Sequence, residues 1–568
     1  MSSSLFRRKP IESFSQDTDS EHHGPALKRV LNVRDLTFFG IAAILGAGSF
    51  SSLGGAIFNG GPGVILLFIL TGIACAFTAF CYSDFASRIP VAGSAYTYAY
   101  ASFGELFAWI IGWALIMEYS IGNIYVSFSW SDYFTSLLDR VGMHVPAYLC
   151  TSYMEAKHAV EGQSTNTELL DAWNHAPVFS GLRIILDLPA LLINVLITWL
   201  AYIGVRESRN MSNGMVILKL AVVFLIILIG GYCVLNMDLT GNWMPTNPAG
   251  ERAFMPNGFS GVMAAVAGVF FAYIGFDAVS VLAEESKNPQ RDLPRGMIYS
   301  LVICTIIYIL LTLVLSGAVP YQQFEGVGDP LAFIFEPQHL NIPWMQLLVA
   351  VCAVIAMTSV LLVFQMGQPR IWMSMSRDGL LPPIFQRIHP KFQTPSFSTI
   401  ITGLVVGLPI LFTDKTFVLD FTSIATLFAF VLVCGGVLLL PKKEKEKGKF
   451  HLTYINAKLI FPLIIFSAMF LIHWLVPNYF IGLFNFNGTE AELTFNISSI
   501  IFWFICIVLA LGAFLRNWSL IPLLGLVTCL YLLTGMTAMN WAWFAGWLLV
   551  GLIIYFSYSI RNSRLSKA

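Results

Sequence analysis

Apolar residues in this chain gather in blocks of roughly twenty, as in Met215–Tyr232, Met297–Val319 and Leu347–Phe364. Each block is long enough to cross ~30 Å of hydrocarbon. Fourteen such blocks predict membrane-spanning helices over 35–58, 62–87, 104–136, 187–205, 213–236, 258–283, 297–319, 343–372, 397–413, 418–440, 458–477, 497–515, 519–536 and 541–560. Hydrocarbon offers backbone groups no partner, so a spanning segment is helical unless it belongs to a closed barrel. A barrel would alternate apolar and polar residues in ten-residue segments, and no such alternation appears. The pattern predicts an all-α polytopic membrane protein.

Composition narrows this further. Of 568 residues, 57% are hydrophobic and 11% charged, against about 25% charged in soluble domains. A single soluble core also stops growing near ~250–300 residues. The net charge is zero, which removes any bulk attraction to nucleic acid. Of nine cysteines, all but Cys150 fall in predicted spans, so neither a disulfide framework nor a zinc spacing is present.

Charge also sets orientation. With the N-terminus in the cytoplasm, cytoplasmic stretches collect 26 of the 32 Lys+Arg. The outer stretches hold Arg140, Lys157, Arg183, Arg252 and Lys415, and Lys219 is left inside a span. The even span count then puts both termini in the cytoplasm of a cell-membrane protein. Residues 1–34 form a polar tail unlike a cleavable signal peptide, so the first span directs insertion. Residues 441–457 are a basic inner loop, 458–560 four additional helices, and 561–568 a second tail.

Two spans are interrupted. The first reads Ile44-Leu45-Gly46-Ala47-Gly48-Ser49-Phe50, and the sixth Phe270-Phe271-Ala272-Tyr273-Ile274-Gly275-Phe276-Asp277. They open two five-helix sets, repeat one over 35–236 and repeat two over 258–440, within a core of 35–440. Because five is odd, the second set enters from the opposite side, the inverted-repeat layout in which substrate sits between broken helices. Half-helix N-termini near Gly48 and Gly275 would offer N–H donors to a carboxylate. C-termini near Ile44 and Phe271 would offer carbonyls to an ammonium. A zwitterionic α-amino acid carries both groups. Close helix packing through small residues is the alternative use of the glycines.

At these residues the chain resembles the amino acid–polyamine–organocation transporter superfamily, and within it the cationic amino acid transporter subfamily. The resemblance runs from about Leu31 to Arg561. It includes Ser87–Tyr100, Phe271–Asp277, Glu284–Pro294, Met375–Pro382 and Thr426–Cys434. It implies a five-plus-five inverted-repeat fold with discontinuous helices 1 and 6 and about 14 spans. It also implies an amino acid held by the backbone at Ile44, Gly46, Ala47, Gly48, Phe271, Ala272 and Ile274. The family usually has Gly-Thr/Ser-Gly-Ile in the first break. Here the run is Gly46-Ala47-Gly48-Ser49, with the hydroxyl after the glycines, a change backbone binding tolerates.

Charges inside a membrane cost ~2.5–3.5 kcal/mol even on the lenient scale and are functional hypotheses by default. Lys219 lies about seven residues into the fifth span, ~10 Å deep at ~1.5 Å per residue. Snorkelling to the interface is one use for it; titration of a desolvated amine is another. The resemblance favours the second, since Lys219 matches the lysine that replaces a coupling ion in proton-coupled members. Glu118, in the third span, is a partner for Lys219 or a structural carboxylate. Asp277 is a helix cap or a substrate or gate residue, and Phe271 and Tyr273 are gate or packing aromatics. His473 reads as packing.

The implied function is secondary active transport of an amino acid, with a proton as coupling ion and no other cofactor. Exchange, polyamine antiport and a channel remain as alternatives. The chain shows no HExxH, Cys-x-x-Cys, G-x-S-x-G or G-x-x-x-x-G-K-[ST] pattern, which argues against an enzyme or an ATP-driven pump. The expected partners are the substrate and the lipid bilayer, with the chain able to act as a monomer.

Overall fold

The computed structural model describes residues 7–9, 31–46, 48–89, 94–162, 167–179, 181–204, 209–247, 250–440, 450–485 and 490–567. Among these, every predicted span is helical. The first starts at a capping box: the Asn32 side chain accepts from Arg34 and Asp35 N–H groups, and Asp35 accepts from Asn32 N–H. Three spans, Leu188–Ile203, Ser396–Ile410 and Leu520–Leu533, are shorter than the ~17 residues a straight crossing takes.

Boundaries depart from hydropathy where a helix outlasts the apolar zone. The seventh span begins at Pro289 rather than 297. Proline suits the first turn of a helix, so Arg291, Asp292 and Arg295 ride on a polar extension of the same helix. The eighth runs to Arg377 rather than 372. The sixth changes type. It is α-helical over Gly258–Ala264 and Val266–Phe271, then resumes as a 3₁₀ run over Asp277–Glu285. His473 lies exposed on the outside of the eleventh span.

The stretch between the third and fourth spans has structure of its own. Helices Tyr153–Glu161 and Thr167–His175 and a small antiparallel pair, Val178–Phe179 with Leu182–Arg183, enclose Ala156, Ala172, Ala176 and Ile185. We refer to it as the cap.

Packing follows a rule of five. The second span packs on the seventh, the third on the eighth and the fourth on the ninth. Equivalent members of two repeats meet in this way when a two-fold axis relates the repeats. Polar contacts reinforce the third–eighth seam: Asn123 Nδ2 donates to Gln365 at 2.8 Å, and Gln368 Nε2 to Ser120 at 2.6 Å. The thirteenth span packs on the tenth, while the eleventh and twelfth pair around a second core of Phe461, Phe502 and Cys506, to which the thirteenth adds Leu523.

Both ends of the chain meet behind the eighth span. Lys9 Nζ pairs with Asp378 at 3.1 Å, and Arg564 N–H donates to the Asp378 carbonyl at 3.0 Å. Tyr96 donates to the same carboxylate at 2.6 Å. Gly379 makes the turn possible, with φ +81° and a would-be Cβ only 2.4 Å from the Asn562 carbonyl oxygen. Gly379→Ala should lower the thermal midpoint of purified protein. The left-handed backbone alone costs a non-glycine residue roughly 1–2 kcal/mol, and the Asn562 clash adds to it. An unchanged midpoint would mean that the tail is not held there.

Candidate functional site

The first helix stops at Ile44, and Leu45 (φ −78°, ψ 73°) turns out of it. Ala47 lies outside the described residues. The chain resumes as a π turn over Gly48–Ser52 and an α-helix over Leu53–Gly60. Released groups find local partners. Ser49 donates to the Gly46 carbonyl at 2.9 Å, which is what the displaced hydroxyl does here. The Ser52 hydroxyl lies 2.6 Å from the Gly48 carbonyl and 2.9 Å from that of Gly268 in the sixth span.

In the sixth span, Gly275 takes φ +114°, and a Cβ there would lie 3.0 Å from the backbone of Ala43. A Cβ on Gly48 would sit 2.5 Å from Ala272 Cα. Each break therefore rests on the backbone of the other.

The carbonyls expected at the half-helix ends are only partly the ones presented. Phe271 O accepts from Ile274 N–H, and Ile44 O from Gly46 N–H, each within its own turn. Ala272 takes the place of Phe271: the hydroxyl of fully buried Tyr308 lies 2.7 Å from Ala272 O and 2.9 Å from Ile44 O, bridging the two breaks from the seventh span. Tyr308 escaped sequence analysis because a tyrosine between isoleucines in an apolar span reads as packing.

Tyr273 does not face this region. Its hydroxyl donates to Phe68 O at 2.8 Å and its ring packs against Tyr308 and Phe68. The Tyr273 hydroxyl thus ties the sixth span to the second. Phe271 is better placed, its ring edge-on to Tyr125 with centroids 4.5 Å apart. Ile274 is buried at the break.

A vestibule of about 1010 Å³ has Ser51, Ser52, Tyr125 and Gly268 among its lining, which we call its floor, and Tyr125 there meets the Phe271 ring. Its wall carries the Lys415–Asp132 ion pair, joining the tenth span to the third, and the Arg140–Asp329 pair at 3.3 Å. Burial pushes Asp329 up to about 7, against the opposing pull of Arg140.

Lys219 is buried, with 1% exposure, which rules out snorkelling in this conformation. Its Nζ reaches Ser359 Oγ in the eighth span at 3.0 Å and Ala42 O in the first at 3.4 Å. Glu118, also buried, belongs to a different cluster, with Asp277 and Thr426 as its neighbours. Asp277 is the first residue of the 3₁₀ run and lies against N–H groups of its own turn, from Gly275 to Ala278. Phe276, not Asp277, stands at the N-cap position, and no side chain caps the run there. Ser359 was another residue missed, since one serine in an apolar helix carries no pattern.

Two opposed five-helix sets, each opened by a broken helix, define a carrier of the inverted-repeat kind. The chain belongs to the amino acid permease family, whose sequence profile matches residues 31–509. It is 35% identical to the branched-chain amino acid permease of Bacillus subtilis (strain 168), over the whole of both chains. It is 34% identical to the methylthioribose transporter of the same organism, again over the whole of both. With the Arabidopsis thaliana protein named cationic amino acid transporter 3, mitochondrial, it shares 30%, covering all of this chain and 96% of the relative. These relatives are permeases and transporters, and the chain is a multi-pass membrane protein of that family, not an enzyme.

Gly48→Leu should abolish the thermal shift that a bound amino acid gives the purified protein. The added side chain would be driven into Ala272, forcing the breaks apart, rather than into open substrate space. A retained shift would mean that the contact between the breaks is packing alone.

Proposed function

We propose that this protein carries an amino acid across the cell membrane together with a proton, by alternating access. The observation that carries the reading is Lys219, a buried amine held between the first helix and the eighth. Charge-assisted hydrogen bonds are roughly twice as strong as neutral ones. Protonated Lys219 therefore ties Ala42 to Ser359 more firmly than the neutral amine does. A proton that favours one arrangement of these two helices biases the conformational equilibrium, and substrate bound at the breaks is coupled to it reciprocally.

The substrate sits against Ile44, Gly46, Ala47, Gly48, Phe271, Ala272 and Ile274, with its amino group toward the Ile44 and Ala272 carbonyls. The vestibule is the entrance from outside, and Phe271 with Tyr125 closes it. The lysine and arginine distribution supports cytoplasmic termini, which puts the cap outside. Substrate identity is a separate matter. Relatives of nearly equal similarity are named for branched-chain amino acids and for methylthioribose, so an uptake screen should include methylthioribose beside the twenty amino acids.

Lys219→Met should uncouple transport. Methionine keeps much of the stem but cannot titrate, so accumulation driven by a pH gradient in proteoliposomes should fall to the passive level. Continued concentration of substrate with a proton gradient as the sole drive would assign coupling elsewhere, with Glu118 next to test. Replacing sodium by choline at fixed pH should leave uptake unchanged, because the amine occupies the coupling position with its own charge. A large loss of uptake without sodium would overturn that assignment.

A further inference from the structure

The cap meets the vestibule through both of its helices: Glu155 of Tyr153–Glu161 and Leu169 and Asp171 of Thr167–His175 line it, and Asp171 turns to His175 of its own helix. Ser152 caps Tyr153–Glu161 by accepting from Glu155 N–H. One turn on, His158 Nδ1 lies 3.3 Å from Asp414, which itself caps the tenth span through Phe417 N–H at 2.7 Å. Half-buried Glu155 lines the vestibule beside Asp132 and Lys415. Lys415, paired with Asp132, also lies over the Tyr125 ring, 5.7 Å from its centroid. Tyr125 is the ring that meets Phe271. Contacts therefore run without a gap from the cap helix to the floor of the vestibule.

We propose that Glu155 is a proton-binding site that fastens the cap helix over the vestibule while its carboxyl is neutral and releases the helix when it ionises. The proposal rests on reading the vestibule as the transport path. Its physical content is the set of charges that Glu155 meets on docking. Asp132 faces it from the third span, Asp187 from the start of the fourth, and Asp414 and Lys415 from the start of the tenth. Lys415 is already engaged by Asp132. On the cap helix itself, His158 turns to Asp414, and Lys157 lies 3.7 Å from Glu161. An ionised Glu155 would add a carboxylate to a partly desolvated group that already holds three.

Burial first, and Asp132 after it, push Glu155 up to about 8, with Lys415 pulling the other way. The direction of the pH effect follows. An undocked helix would have an ordinary carboxyl, near ~4.3, so docking raises the pKa and takes up a proton. Docking is then strongest below the undocked value. It weakens by up to about tenfold per pH unit as pH rises toward 8, and levels off above. Acid on the vestibule side holds the cap down.

Hydrogen exchange on the purified full-length protein in detergent tests this. Protection of amides 153–161, taken relative to intrinsic exchange at each pH, should fall between pH 5.5 and 7.5 by up to about tenfold per unit. Glu155→Gln should keep high protection at both, because the amide mimics the neutral acid. His158→Gln should retain the pH slope. A flat wild-type profile, the same slope in Glu155→Gln, or a slope lost only in His158→Gln would each overturn the assignment. The thermal shift given by a bound amino acid reports separately on the transport reading, since Glu155 lies away from the two breaks.

Discussion

A hydrogen-bonding group released inside a membrane has to be met by the protein itself, and the structure depends on how that demand is handled at two places. Breaking a helix in water is inexpensive because solvent caps the ends. Here Ser49 and Ser52 turn back on carbonyls of the first break, and Tyr308 bridges Ile44 and Ala272. Backbone contact through Gly48 and Gly275 locks the breaks against each other. Without these partners, a continuous helix would be the lower-energy choice at both positions.

The same demand explains where the buried charges lie. Lys219 and the Glu118–Asp277 neighbours sit at seams between spans rather than within one helix's surroundings. A charge at a seam senses relative movement of the elements on either side. A charge enclosed by a single rigid unit does not. The ion pairs of the vestibule wall, Lys415–Asp132 and Arg140–Asp329, also join different elements.

How much was legible in sequence follows from which forces leave a linear trace. The hydrocarbon requirement writes itself over twenty consecutive residues, so the spans could be read directly. The breaks were visible through Gly46, Gly48 and Gly275, because only a few residue types permit such turns. Partners across space leave no such trace. Tyr308 and Ser359 look like ordinary residues of apolar helices, and nothing in the sequence shows that the Tyr273 hydroxyl reaches Phe68 O. The cap helices are nine residues each, with polar and apolar residues mixed, too short for periodicity to separate from loop. The seventh span's early start was hidden because hydropathy reports where lipid begins, not where the helix does.

Pairing by fives also bears on how the chain is made. Asn123 and its partner Gln365 are 242 residues apart. At the roughly 5–20 residues per second of synthesis, the third span is complete some ~12–50 seconds before the eighth exists. Through that interval Ser120 and Asn123 stand on a helix already delivered to the bilayer, with the seam that will bury them unmade. The nascent first repeat is thus a membrane protein with an exposed polar stripe. It has to dimerise transiently, lean on the insertion machinery, or draw water beside it until its second half arrives.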